Sequence, residues 1–229
     1  MIYILLIYVL FTLLISIYFK KKNYLSNFSG DNHQLFSNEK NIPLVGGVLL
    51  FMPTILLNLE NFFLVISIIS ISLIGFLSDR KILASPKKRI LFQLTFVLIS
   101  VITLDLEIIS SRVNFFDDLL KINVFNIFFT SFCLLILING SNFMDGLNGL
   151  LIFYMTLIIF VIFKLGLVPQ NIIDKNFFIN FIFFLAILGI LNLFNVLMLG
   201  DSGAYLISFF AGYLIITSHK LNPNISPYF

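Results

Sequence analysis

Eight apolar runs, lying near 2–19, 44–58, 62–77, 89–104, 123–139, 148–164, 177–194 and 203–218, constrain this chain more than any motif does. A helix that crosses a bilayer needs roughly twenty apolar residues, and inside lipid a helix satisfies its own backbone polar groups. The pattern predicts an all-α, polytopic membrane protein of about eight transmembrane helices. Hydrophobic residues make up 59% of the chain and charged ones 11%, where a soluble domain carries roughly a quarter charged residues. The mean hydropathy is +1.06. The first run has no basic stretch before it and no small-residue cleavage site after it, so it reads as a retained membrane helix rather than a signal peptide. Cys133 stands alone in an apolar run, which excludes a disulfide framework and a thiol metal cluster. The net charge of +3 comes without a basic stripe, so no nucleic-acid partner is expected.

Eight crossings divide the loops into two sets. One set, near 20–43, 78–88, 139–149 and 194–202, together with the helix start that follows 88, carries Lys20, Lys21, Lys22, Lys40, Arg80, Lys81, Lys87, Lys88 and Arg89, nine of the fourteen basic residues. The other set, near 59–61, 105–122, 164–176 and 219–229, carries Arg112, Lys121, Lys164, Lys175 and Lys220. Basic residues mark the cytoplasmic side. The first set is therefore expected in the cytoplasm, with the N-terminus outside. The acidic outer loop 105–122 (Asp105, Glu107, Asp117, Asp118) reads as a solvated surface.

The unusual polar clusters all fall in the cytoplasmic set. They are His33-Gln34, Pro43-Leu-Val-Gly46-Gly47, Gly75-Phe-Leu-Ser78-Asp79-Arg80, Ser85-Pro86-Lys87-Lys88-Arg89 with Gln93, Asn139 to Gly149, and Gly200-Asp201-Ser202-Gly203. Asn139, Asn142, Asp145 and Asn148 recur every third residue, so neighbouring pairs share a helix face. Gly140, Gly146 and Gly149 permit sharp turns or close backbone approach. Three carboxylates at helix ends on one face, with amides, glycine turns and cations, suit a phosphate-rich ligand with a divalent metal. Carboxylates hold Mg²⁺ alongside substrate phosphates, and glycine turns opening a helix offer N–H groups to phosphate. Each cluster also has a plainer reading. Gly46-Gly47 can simply start a helix, Gly200-Asp201-Ser202 can be an N-cap, and Lys87-Lys88-Arg89 can be a membrane anchor.

From His33 to about Gly212 these motifs resemble, in the same order, the polyprenyl-phosphate sugar-1-phosphate transferases of glycosyltransferase family 4. That family includes undecaprenyl-phosphate GlcNAc-1-phosphate transferase and phospho-MurNAc-pentapeptide translocase. Gly75-Phe-Leu-Ser78-Asp79 resembles the family's Gly-x-x-Asp-Asp motif. The Asn139 to Gly149 stretch resembles its Asn-x-x-Asn-x-x-Asp-Gly-x-Asp-Gly signature. Gly200-Asp201-Ser202-Gly203 resembles its Gly-Asp-x-Gly-Ser motif.

The resemblance implies transfer of a sugar-1-phosphate, GlcNAc-1-phosphate or another N-acetylhexosamine-1-phosphate, from a UDP-sugar to undecaprenyl phosphate. UMP leaves, and the product initiates a cell-wall or surface polysaccharide. It implies Asp79, Asp145 and Asp201 as catalytic residues, with Mg²⁺ (or Mn²⁺) on Asp201 and Asp145. It implies substrate contacts from His33, Lys88, Asn139, Asn142, Asn148, Gly200, Ser202 and Gly203. The expected setting is a multi-pass protein of the plasma (inner) membrane with a cytoplasmic active site, a homodimer being left open.

The sequence departs from the family at five places. Ser78 stands for the first Asp of the acidic pair, Asn148 for the second Asp of the signature, and Ala204 for Ser; the Pro and Lys often found before the Gly-Asp motif are absent from Asn192 to Leu199, and the later His-x-His loop has no counterpart. These departures predict a single integral-membrane domain, 1–229, that lacks the family's C-terminal helices and is an inactive or weak relative as it stands. A transporter is the competing class. It would place ionisable residues near the bilayer midplane on broken helices in related halves, whereas Asp79, Asp145 and Asp201 fall at run ends.

Overall fold

A computed structural model describes residues 2–26, 42–57, 60–146, 148–167 and 175–224. His33 lies outside the described residues. The helices in order are α1 (Ile2–Lys22), α2 (Gly46–Leu57), α3 (Phe62–Asp79), α4 (Pro86–Thr103), α5 (Asn114–Leu120), α6 (Asn123–Met144), α7 (Leu150–Lys164), α8 (Lys175–Leu193) and α9 (Gly200–Leu221). No strand occurs among the described residues. The all-helical expectation therefore holds, and eight of the helices fall on the eight apolar runs. Three of them, α3, α6 and α9, are long and apolar enough to cross a membrane. Those three are the crossings the structure supports. Among the described residues, Gly46–Leu56 of α2, α7 and Phe178–Leu193 of α8 are shorter apolar stretches, and α4 opens on Lys87, Lys88 and Arg89.

Local chemistry sets the helix boundaries. The Asn61 side chain accepts the Leu64 N–H at 3.1 Å and caps α3. Pro86 sits in the first turn of α4 behind extended Ser85, where its missing N–H costs nothing. Within the helices, hydroxyls turn back onto carbonyls four residues earlier. Thr54 donates to Leu50 at 2.6 Å, Ser100 to Phe96 at 2.7 Å, Thr156 to Ile152 at 2.6 Å and Ser208 to Ala204 at 2.6 Å. A hydroxyl bonded in this way can sit in an apolar layer without an open hydrogen bond.

α9 is the central helix. Of its apolar window 72% is buried, against 39% for α3 and 33% for α6, and α2, α3, α6 and α7 surround it. Small residues bring α2 and α3 against its start. A Cβ on Gly47 or on Gly75 would collide with Ser202, and one on Gly46 would lie 2.7 Å from Leu199 Cα. Close backbone approach through small residues is how apolar helices associate where lipid offers no hydrophobic drive. Large side chains such as Leu10, Leu14, Phe128, Phe132 and Ile136 stay exposed on the outer helices, as a lipid-facing surface requires.

The ends of the bundle separate the two loop sets. At one end lie the start of α2, the α3–α4 and α6–α7 turns and the approach to α9. At the other, Lys220 Nζ pairs with Asp105 at 2.7 Å and Glu107 at 2.9 Å, and buried Asn126 donates to the carbonyls of Ile108 and Leu120, both at 3.0 Å. The acidic loop is more ordered than its composition suggests. It contains α5, which no apolar run predicts. Asp117 organises the turn before it by accepting from the hydroxyl of Ser110 at 2.7 Å and the N–H of Ser111 at 2.6 Å.

Candidate functional site at the start of α9

Three chain segments meet where α9 begins, and each brings one of the expected carboxylates. Asp79 ends α3, and its two oxygens accept the backbone N–H groups of Asp201 at 2.8 Å and Ser202 at 3.0 Å. It caps a helix remote in sequence, where negative charge also suits the helix dipole. Gly200 has φ +72°, and a Cβ there would lie 2.9 Å from Asp79 Oδ2. The position therefore needs glycine for both conformation and space.

Asp145 follows the last turn of α6, with its carboxyl beside the Gly200 backbone. Burial is the main cause that pushes its carboxyl up to about 7, with the nearby Asp79 charge adding to it.

Asp201, in the first turn of α9, is held differently. Its Oδ2 accepts the Ser78 hydroxyl at 2.5 Å and Arg89 Nη1 at 2.8 Å, and the same nitrogen donates to Ser78 Oγ at 2.8 Å. Ser78, Arg89 and Asp201 thus close a three-membered ring across α3, α4 and α9. Charge-assisted bonds of this kind are the stronger class.

The amides support this end of the bundle. Asn139 donates to Gln93 Oε1 and to Leu135 O, each at 2.9 Å, tying α6 to fully buried Gln93 of α4. Asn142 is half-buried one turn before Asp145. Exposed Asn148 donates to Asn195 Oδ1 at 2.6 Å. Asn192, in the last turn of α8, accepts the Gly149 N–H and donates to Leu197 O at 3.1 Å, and so holds the left-handed turn at Gly149, φ +76°.

Packing surrounds several of the residues expected to contact substrate. Ser202 is 1% exposed, and Gly203 is buried with its Cα against Gly47. Both lie where α9 packs against α2 and α3. Gly200 likewise serves the turn against Asp79. Lys88 is exposed on the first turn of α4, and it is the next residue, Arg89, that reaches a carboxylate. The glycine turns were expected to offer N–H groups to phosphate. In the structure Gly46 N–H donates to Met198 O and Gly47 N–H to Leu199 O, both at 3.0 Å, while Asp79 holds the donors of α9.

Sequence reasoning missed Ser78 and Arg89 as partners of Asp201, and Asn192 as the acceptor at Gly149. Arg89 carried a signal of a kind, since Pro86 fixes the helix phase that separates it from its two basic neighbours.

The carboxylates offered for the metal that the resemblance implies are partly taken up by donors of the protein. Among the described residues no group of three His, Cys, Asp or Glu side chains could hold a metal ion. Both Asp79 oxygens carry backbone N–H groups, and Asp201 Oδ2 carries a guanidinium and a hydroxyl.

No curated protein and no solved structure gives a significant match to the chain. The model of glycosyl transferase family 4 matches residues 61–219, which include Asp79, Arg89, Asp145 and Asp201. That match spans more than half of the chain, and the protein belongs to glycosyl transferase family 4, a family of transferases of the polyprenyl-phosphate sugar-phosphate type.

Proposed function

We propose that the protein transfers a sugar-1-phosphate from a UDP-sugar, with an N-acetylhexosamine the favoured sugar, to a polyprenyl phosphate such as undecaprenyl phosphate. The convergence of Asp79, Asp145, Asp201 and Arg89 on the start of α9, inside the matched region, carries this reading. The lipid phosphate oxygen attacks the phosphorus that bears the sugar. The bond from that phosphorus to the bridging oxygen breaks, and UMP leaves with the electron pair.

A phosphate monoester has its second pKa near about 6, so the attacking group is ionised at neutral pH without a dedicated base. Ser78 in place of a carboxylate is compatible with such a reaction. Catalysis then consists of positioning and of matching the charge of the diphosphate. The Arg89 guanidinium is the group at the site suited to bidentate phosphate contact. The site faces the cytoplasm of a plasma-membrane protein in this reading, and the product feeds cell-wall or surface-polysaccharide synthesis.

The test is release of UMP from a panel of UDP-sugars by membranes containing the protein, with and without undecaprenyl phosphate. Lipid-dependent UMP release with the hexosamine phosphate recovered on the lipid supports the reading. Uptake of a UDP-sugar into sealed vesicles without UMP release would replace it with transport.

A further inference from the structure

Among the described residues, five backbone donors of the glycine-rich turns at this end of the bundle are bonded within the protein. Gly46 and Gly47 donate to Met198 and Leu199, Gly149 to Asn192, and Asp201 and Ser202 to Asp79. With those donors engaged, a cation is the stronger partner for a phosphate here.

Asp201 already holds one. Arg89 Nη1 lies 2.8 Å from its Oδ2, with side chains 26% and 23% exposed, so the pair is shielded yet reachable. Ser78 bonds to both partners. A neutral serine at this position removes a carboxylate that would otherwise compete for the guanidinium or help to hold a metal. The remaining N–H groups of the guanidinium fork can engage two phosphate oxygens at once. A divalent cation approaching the same carboxylate oxygen would meet a like charge at contact distance.

We propose that Arg89 is the resident cation of the site. It neutralises Asp201 in place of a divalent metal and is the group that binds the phosphates of a diphosphate ligand, so the ligand binds without metal. The inference rests on the Ser78–Arg89–Asp201 ring and not on the reaction proposed above, and its test reads binding rather than turnover.

Mn²⁺ binding to the purified full chain in detergent is measured by electron paramagnetic resonance, and binding of inorganic pyrophosphate without metal by calorimetry. The wild-type protein is expected to bind Mn²⁺ no tighter than about 1 mM while binding pyrophosphate. Arg89→Gln is expected to tighten Mn²⁺ binding and to weaken pyrophosphate binding, each about tenfold. Lys87→Gln, which removes an exposed charge nearby, should change each by less than about threefold. Arg89→Gln that leaves either affinity within threefold of wild type overturns the proposal. If that variant is not recovered folded, the wild type decides. Saturable Mn²⁺ binding below about 1 mM that Asp201→Asn abolishes overturns it, and metal-free pyrophosphate binding without such a site supports it.

Discussion

Asp79 Oδ1 lies 2.8 Å from the backbone nitrogen of Asp201, across 122 positions of sequence. Its second oxygen accepts the Ser202 N–H at 3.0 Å, so the last residue of α3 terminates the hydrogen bonding of α9. Asp79→Ala leaves two buried helix donors without acceptors. The expected loss is about 1–2 kcal/mol, as for a deleted helix cap, read as a lower melting temperature in detergent. Asp79→Asn keeps an acceptor and should recover more than half of that loss. If Asp79→Ala melts with the wild type, the carboxylate does not hold the helix.

Gly75 and Gly140 give opposite expectations for the same substitution. A Cβ on Gly75 would run into the Ser202 backbone, whereas one on Gly140 meets nothing within 4 Å. Gly75→Ala should destabilise by about 1–3 kcal/mol through forced displacement of α9. Gly140→Ala, inside α6, should be neutral or stabilise by up to about 1 kcal/mol through helix propensity. Thermal melts of the two variants compare directly, and reversal of their order would refute the packing at the start of α9.

Asp145 imposes a pH dependence. Its carboxyl is pushed from 3.8 to about 7 in the folded protein, first by burial and then by the Asp79 charge. Between those values the folded protein keeps a proton that the unfolded chain releases. Stability contributed by this group is therefore fully present below 3.8, falls as pH rises, and is gone above about 7. Melting temperatures from pH 4 to 8 should show this slope in the wild type and a flatter profile in Asp145→Asn. The variant should be the more stable of the two at pH 8.

The two ends of the bundle should label from opposite sides of the membrane. Lys87 and Asp118 are both exposed and belong to opposite loop sets. In a Cys133→Ala background, a membrane-impermeant maleimide should modify Asp118→Cys on intact cells. Lys87→Cys should react only after permeabilisation. Labelling of Lys87→Cys from outside would invert the proposed topology and move the α9 site out of the cytoplasm.

Hydropathy by itself determined the helical class, the eight apolar runs and the division of loops that puts Asp79, Asp145 and Asp201 at one end. A helix meets its own backbone needs within four residues, so a local pattern suffices to specify it. Boundaries at Pro86 and Asn61 were open to the same local reading. α5 was not, because its seven residues carry no apolar run and depend on a loop ordered around Asp117.

Only the tertiary structure decided which polar group answers which. The Arg89–Asp201 pair spans 112 positions and the Gly149–Asn192 contact 43, separations over which sequence pattern carries no geometric information. Packing also put Ser202 and Gly203, motif residues with the look of ligand contacts, against the glycines of α2 and α3. The motifs marked where the helices converge. The short distances allowed by Gly47, Gly75 and Gly200 settled how closely those helices meet.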